Sequence, residues 1–519
     1  MKSIKKIKLH NFKRFETFMV EFDEELNLFI GDNEAGKSSL LSAIDIVLSG
    51  SRSKIETLGI ESIFNIDVVE QFLLSGKKYE NLPIVFIELY LNEQHNPDVN
   101  GKHNSENIIC DGLRLCCEPN DDLGKEIKEI LEQEESNFPF EYYTISFKTF
   151  SGDSYTGYRK FLKHILIDNS QINNEYATRE YVKAMYSSNA KDGERHKHQN
   201  EYRKFKETFK SSVLNNINDR LVDYNFSVRN SHKANLETDL TLTENNINIE
   251  NKGKGKQCFI KTEFALNKSS SKIDVILLEE PENHLSHLNM KRLIRKIRAT
   301  EGKQLFITTH NDLISTRLDL RKSILLNSNG TVPVLLKDLS EDTASFFIKA
   351  PDNNIVEFVL SKKVILVEGD AEYILMEQFF REVSKMELDI SNIHIISVGG
   401  TSFRRYLDLA KLLKIKTAII RDNDKDHKVN CIDSYSDYVG DLIQVFSDKN
   451  NLRYTFEICM YEDNKSICDN LFSTGRRTLS VLDYMLQNKA DVAFEILEKK
   501  ASEIVTPLYI KEAIEWIRK

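Results

Sequence analysis

At 519 residues the chain is longer than one hydrophobic core organises, so two to four domains are expected. A net charge of −9 excludes a global basic field, and any nucleic-acid contact must come from local patches. Seven scattered cysteines with no C-x-x-C pair exclude a zinc ribbon and a disulfide framework, and no apolar run approaches about 18 residues. Reduced thiols, a cytoplasmic location and no membrane partner are expected.

In chain order, Ile4 to Phe12, Phe18 to Phe22 and Leu26 to Ile30 alternate as strands, and a helix follows to about Leu48. Pro83 to Leu91 is a strand rich in β-branched and aromatic residues, residues 92–135 are polar and turn-rich, and Phe140 to Phe150 is another strand. Residues 155–235 are charged and nearly free of Gly and Pro. They predict a helical insertion, a solvated arm or dimer contact rather than a nucleic-acid arm. Strands return at Leu240 to Leu242, Ile247 to Ile249, Ile273 to Leu278 and Lys303 to Thr308, with an apolar alternation from Ser323 to Leu336. A linker with one short helix is expected over 337–361. Beyond it strands and helices alternate (Val364 to Val367, Glu372 to Val383, Ile393 to Val398, Phe403 to Leu413, Thr417 to Ile420), which predicts a small doubly wound domain over 362–519.

Gly31 to Ser38 reads Gly-Asp-Asn-Glu-Ala-Gly-Lys-Ser between an apolar strand and a helix, a P-loop without mismatch. Its backbone amides and the helix dipole suit phosphate oxygens, Lys37 would reach the β- and γ-phosphates, and Ser38 would sit on Mg²⁺. The nucleotide-binding set is Gly31, Asn33, Gly36, Lys37, Ser38, Ser39 and Glu279. Val275 to Leu278 carries Glu279 and Glu280 to the end of a buried strand: Glu279 would hold Mg²⁺ and Glu280 polarise the attacking water. Leu305 to Thr309 ends in His310, placed to sense the γ-phosphate. Gly253-Lys254-Gly255-Lys256-Gln257 is a candidate γ-phosphate cap for a partner protomer or a flexible basic loop, and Gln71 is a candidate glutamine contact to the nucleotide.

In the second half, Val364 to Val367 ends in Glu368-Gly369-Asp370-Ala371-Glu372, Ile395 to Val398 in Gly399-Gly400, and Ala418 to Ile420 in Arg421-Asp422-Asn423-Asp424. In a doubly wound sheet these ends share one edge. Clustered carboxylates need a cation, and oxygen ligands suit Mg²⁺ or Mn²⁺, which in pairs hydrolyse phosphodiesters. Two basic patches would contact phosphates: Lys291 to Arg298, and Arg404-Arg405 with Lys411, Lys414 and Lys416. The second, beside Gly399-Gly400, is the stronger candidate.

The P-loop, the Glu279-Glu280-Pro281-Glu282-Asn283-His284-Leu285 string and His310 resemble ABC ATPases of the SMC/Rad50-like branch. The Glu368-Gly369, Gly399-Gly400 and Asp422-Asn423-Asp424 ends resemble a Toprim domain. Together they resemble the OLD (overcoming lysogenization defect) family of ATP-dependent nucleases, a group that includes the Gabija nuclease subunit and OLD-type retron effectors. The resemblance implies an α/β chain in which an ABC-type P-loop ATPase (1–154 and 236–336, interrupted by the insertion 155–235) precedes a Toprim nuclease (362–519). It implies ATP and Mg²⁺ or Mn²⁺ as cofactors, with Glu368, Glu372, Asp422, Asp424 and Glu457 as metal ligands and Lys489 stabilising the scissile phosphate. It further implies DNA as substrate, a homo-oligomer, and anti-phage defence with a helicase or a reverse transcriptase and its RNA–DNA as partner. The alternative is an SMC-like ATPase whose Toprim module senses nucleic acid without cutting it.

Overall fold

The computed structural model describes residues 1–133, 137–157, 160–168, 175–231, 235–266, 273–326, 332–350, 354–400, 402–473 and 479–519. The chain divides into two units, residues 1–314 with 322–333 and residues 315–321 with 334–519.

In the N-terminal unit, β1 (Ile4–Phe12), β2 (Phe15–Glu21), β4 (Val85–Leu91), β5 (Asn100–Gly101), β6 (Cys110–Pro119) and β7 (Tyr143–Thr149) form an antiparallel sheet, β2–β1–β4–β6–β5 with β7 on β6. Ile7, Leu9, Ile87, Leu89, Leu113 and Leu115 alternate along three of these strands and are all buried, the period-2 pattern of a one-sided core. β6 corrects the turn-rich expectation for 92–135. Its Gly112 disguises it: a β-carbon there would lie 2.1 Å from the Phe150 ring, so the glycine marks close packing inside a strand, not a turn.

The second sheet holds parallel strands in the order β11 (Ser323–Leu326), β3 (Leu26–Gly31), β10 (Gln304–Thr309), β9 (Val275–Glu279), β8 (His164–Asp168). β8 corrects the insertion boundary, since residues 164–168 complete this sheet; helices α2 (Glu175–Asn189) and α3 (Asp192–Ser212) follow it. Leu240 to Leu242 is not a strand either: a helical turn, Leu236–Asp239, leads into a two-strand hairpin, Thr243–Glu244 with Ile247–Asn248.

Helix α1 (Lys37–Ser49) leaves the P-loop with Leu40, Leu41, Ala43, Ile44, Ile46 and Val47 all buried. Asp45 is buried among them and accepts a hydrogen bond from His164 Nε2 at 3.0 Å and one from Lys54. Burial alone would raise its pKa, but these two partners outweigh burial and hold the carboxyl at about 2. The pair pins the P-loop helix to β8.

In the C-terminal unit, β13 (Ile393–Ser397), β12 (Lys363–Val367), β14 (Lys416–Ile420) and β15 (Ile443–Phe446) lie parallel in that order. Ile365, Val367, Ala418 and Ile420 are buried in one cluster with Phe379 and Phe380 of α8 (Asp370–Ser384) and Ile510 and Ile514 of α12 (Leu508–Arg518). The expected linker carries two helices, α6 (Glu341–Lys349) and α7 (Ile355–Leu360), and belongs to this unit. Their Phe347 and Phe358 rings meet Tyr406 of α9 (Phe403–Leu413) edge-on at 5.3 and 5.2 Å. Residues 351–353 lie outside the described residues.

Candidate active sites

Parallel pairing sets Gly31, Thr309, Glu279 and Asp168 at one edge of the second sheet. Gly31 is required there, because a β-carbon would stand 2.4 Å from the Leu326 carbonyl, and Gly36 adopts φ 94° at the start of α1. Lys37 is only 6% exposed, and its Nζ donates to the carbonyls of Gly31 at 2.5 Å and Asp32 at 2.9 Å. The ammonium is therefore stationed inside the loop. Burial lowers its pKa against the opposing pull of Glu280, Asp32, Glu282 and Glu279. Asn33 and Ser38 are exposed and Ser39 is partly buried.

Glu279 shares a hydrogen bond with Ser38, and burial raises its carboxyl, with Asp168 and Glu280 adding repulsion and Lys13 opposing. A hydroxyl and a carboxylate already converging on one point fit a Mg²⁺ beside the nucleotide phosphates. Glu280 has φ 42°, a conformation that strains a residue with a side chain. Its amide donates to the Thr308 carbonyl at 3.1 Å, and its Oε2 accepts from Asn283 at 2.8 Å. Its other oxygen faces His310 Nδ1 at 3.5 Å. The predicted base and the predicted phosphate sensor thus stand opposite each other.

Glu282 carried no role in the sequence reading. It is 6% exposed, and its Oε1 accepts from Thr309 Oγ1 at 2.5 Å and from the His310 amide at 3.3 Å. It therefore ties the end of β10 to the turn after β9 and fixes where the His310 ring starts. The string Glu-Glu-Pro-Glu held the signal, but only the fold shows what the last glutamate reaches.

The glycine–lysine loop is not a free loop. Helix α4 (Lys254–Leu266) begins inside it, Lys256 pairs with Glu244 at 3.0 Å, and buried Gln257 donates to the Lys252 carbonyl at 2.8 Å. Gly255 abuts the His284 carbonyl so closely that a β-carbon would lie 2.0 Å from it. Gln71 lies exposed on the helix Ile66–Leu74. The strand that reaches the nucleotide edge is β8, and residues 169–174 after it lie outside the described residues.

In the C-terminal unit the ends of β12 and β14 bring Glu368 and Asp422 together. α8 adds Glu372, α10 (Phe456–Asp463) adds Glu457, and α11 (Lys489–Lys500) begins with Lys489. Burial, then Glu372, Glu368 and Glu457, push Asp422 up to about 8. Burial, then Glu457 and Glu368, push Glu372 up to about 7. Burial also raises Glu368, against the pull of Arg421. Lys489 Nζ lies 2.9 Å from Glu457 Oε1, which places the predicted lysine in the cluster. Glu368 Oε2 and Glu457 Oε2 are buried with no hydrogen-bond partner. Orphaned carboxylate oxygens among repelling acids fit a divalent cation. Among the described residues no group of three or more His, Cys, Asp or Glu side chains is arranged so that it could hold a metal ion as it stands.

Asp424 is exposed, its Oδ2 lies 3.4 Å from Arg421 Nη2, and its charge adds to the rise of Glu368. The Asp-Asn-Asp turn is held by its middle residue, which the sequence reading passed over. Asn423 is 1% exposed and donates to the carbonyls of Asp448, Asn450 and Arg453 at 2.8, 3.1 and 3.2 Å.

A family model described as the Toprim domain of overcoming lysogenization defect protein-like chains matches residues 359–424, and an AAA ATPase domain model matches residues 1–252. The chain is 27% identical to the Old nuclease of Escherichia phage P2 over 178 residues, 32% of this chain and 30% of that one. It is 30% identical to the DNA double-strand break repair Rad50 ATPase of Methanococcus maripaludis over 142 residues, 26% of this chain and 12% of that one. The aligned part thus spans less than a third of either relative's length. The C-terminal region of the Xanthomonas campestris pv. campestris OLD protein is 26% identical, covering 30% of this chain and 92% of that structure with a TM-score of 0.24. The two matched domains and the similarity to the Old nuclease support a chain of the OLD type, an ATPase domain joined to an OLD-like Toprim domain.

Proposed function

We propose that this chain is an ATP-hydrolysing, divalent-metal-dependent DNA endonuclease. One observation carries the nuclease half: Glu368, Glu372, Asp422 and Glu457 crowd one sheet edge with two buried oxygens unpartnered and Lys489 beside them. Glu368, Glu372, Asp422, Asp424 and Glu457 would hold Mg²⁺ or Mn²⁺, and the chemistry such ions supply when bound is water activation and stabilisation of the leaving oxygen. Lys489 holds its proton more firmly than usual: burial works against this, and the bond to Glu457 outweighs burial. It is the cation this chain itself offers to a scissile phosphate. Asn423 keeps the Asp422 loop in place.

In the ATPase half, the P-loop amides and Lys37 bind the phosphates, Ser38 and Glu279 face the metal position, Glu280 orients water and His310 reads the γ-phosphate. ATP hydrolysis in this branch needs a second protomer. Exposed Phe205, Phe209, Val222, Tyr224 and Phe226, on and after α3, support a homo-oligomer joined through the insertion. Among the described residues no helix is long and apolar enough to cross a membrane. Anti-phage defence, with a helicase or a reverse transcriptase as partner, enters this proposal through the family resemblance alone. The non-cleaving alternative draws on Asp424, whose carboxylate is engaged by Arg421.

The test is a supercoiled-plasmid assay with Mg²⁺ or Mn²⁺, with and without ATP. Nicked or linear product that disappears in Asp422→Ala supports the endonuclease. No product under any metal, with DNA binding intact, supports the sensor.

A further inference from the structure

The two basic patches differ in how their side chains are held. In the patch beside Gly399-Gly400, four of the five cations each make one internal bond to a neutral acceptor: Arg404 to the Ser434 carbonyl at 3.0 Å, Arg405 to Thr343 Oγ1 at 3.0 Å, Lys411 to the Asp437 carbonyl at 3.2 Å and Lys416 to the Trp516 carbonyl at 2.9 Å; Lys414 is exposed. The other patch lies on helix α5 (His287–Arg298) of the ATPase unit. That helix buries Met290, Leu293, Ile294 and Ile297 and exposes Lys291, Arg292, Arg295 and Arg298 on the opposite side. Lys296 is paired with Glu263 of α4. None of the four exposed cations has a hydrogen-bond or ion-pair partner among the described residues.

Their spacing is unfavourable without an anion. Lys291 and Arg295 are i, i+4 neighbours, and Arg292 with Arg295 and Arg295 with Arg298 are i, i+3 neighbours, so like charges adjoin along the face. The helix dipole favours Arg295 and Arg298 near the C-terminus but not Lys291 and Arg292 farther back. In a chain of net charge −9, four adjoining unpaired cations form a local exception. At 1.5 Å per residue the face spans about 10 Å, roughly three base pairs of duplex.

We propose that this face of α5 is a contact surface for the phosphate backbone of duplex DNA. The choice of duplex DNA as the polyanion rests on the proposed function; the unpaired cations do not. The surface lies on the ATPase unit, so DNA engagement there is separable from the Toprim carboxylates.

The experiment measures binding of the full chain to a fluorescent duplex by anisotropy across a salt series, without divalent metal. A variant combining Lys291→Gln, Arg292→Gln, Arg295→Gln and Arg298→Gln is compared with wild type. DNA-free ATP hydrolysis and the melting temperature serve as controls and are expected unchanged. The expected result is affinity more than about 10-fold weaker at 0.1 M salt, and a slope of log K against log salt smaller by about 2 to 4, near 0.9 per lost phosphate contact. Arg295→Gln alone should reduce the slope by about 1. An unchanged slope in the fourfold variant overturns the proposal, as does a wild type that does not bind duplex. Wild type that binds with the predicted slope change yet cuts nothing upholds this surface and rejects the endonuclease. Wild type that cuts while the fourfold variant keeps its slope does the reverse.

Discussion

The two candidate sites sit at the same place in similar sheets, the carboxyl edge of parallel strands, yet they differ in how far their charges are already partnered. At the P-loop Lys37 has two carbonyls, Glu279 has Ser38, and Glu282 has Thr309 and the His310 amide, with Glu282 Oε2 the one buried carboxylate oxygen there that lacks a partner among the described residues. At the carboxylate cluster Lys489 pairs with Glu457, but Glu368 Oε2 and Glu457 Oε2 have no hydrogen-bond partner, and burial, then the neighbouring acids, raise Asp422 and Glu372. The first site is assembled before its ligand arrives and exchanges bonds when it comes. The second stores repulsion that only a cation relieves. Metal binding should therefore change the stability of the C-terminal unit more than nucleotide changes that of the N-terminal one.

The sharpest way to break that contrast is to swap the lesions. Asp422→Ala should abolish DNA cleavage, by about 10³-fold or more, and remove the rise in melting temperature on adding Mn²⁺, while nucleotide binding survives. Lys37→Ala should do the opposite, losing nucleotide binding and keeping the Mn²⁺ response. A variant that loses both responses would show that the sites are not independent.

Next in size is the ATPase itself. Glu280→Gln should bind ATP normally and hydrolyse it about 10² to 10⁴-fold more slowly. Glu282→Ala should lower kcat by about 10-fold with KM little changed, because it misplaces His310 without touching the P-loop. Equal turnover in wild type and Glu280→Gln would move the base elsewhere.

A smaller effect concerns communication. ATP, but not ADP, should change the rate of DNA cleavage in wild type and not in Lys37→Ala, measured at constant free Mg²⁺ because ATP chelates it. A ligand shifts an equilibrium only by binding its two states differently. Identical responses from both proteins would mean chelation alone.

The smallest test concerns stability. Asp45 is depressed to about 2 in the folded chain, below its ordinary 3.8, so its stabilisation is complete above about pH 4 and is lost as pH falls through about 2. The shift corresponds to about 2 kcal/mol. Asp45→Asn should lower the melting temperature at neutral pH, and the gap to wild type should close on acidification over that window. A gap that stays constant with pH would assign the loss to packing instead.

The P-loop, the Glu279-Glu280 end, His310 and the carboxylate ends were legible because each follows an apolar run that stops at glycine, acid or, for His310, a Thr-Thr-His step, a pattern local in sequence. What was not legible depends on partners far along the chain. β8 is a short strand in polar surroundings, and only pairing with β9, more than a hundred residues later, makes it a strand. β6 was hidden by Gly112, whose purpose is room for Phe150. Glu282 and Asn423 are read only through bonds that cross between elements. Which basic side chains are tied to the fold is hidden for the same reason, since sequence shows charge but not which donors are bonded internally.

The contact between Gly255 and the His284 carbonyl has a consequence for how this chain tolerates change. The glycine–lysine loop and the turn after Glu280 are wedged backbone to backbone, with no side chain between them to absorb a shift. Lys254 and Lys256 on either side are exposed, Lys256 paired with the half-exposed Glu244, so in a saturation library those positions should accept more residues than 255 does. The loop's unusual lysines and its fixed glycine are then two sides of one constraint: the loop's outer edge is open to drift, and its inner edge is a single atom's width from closed.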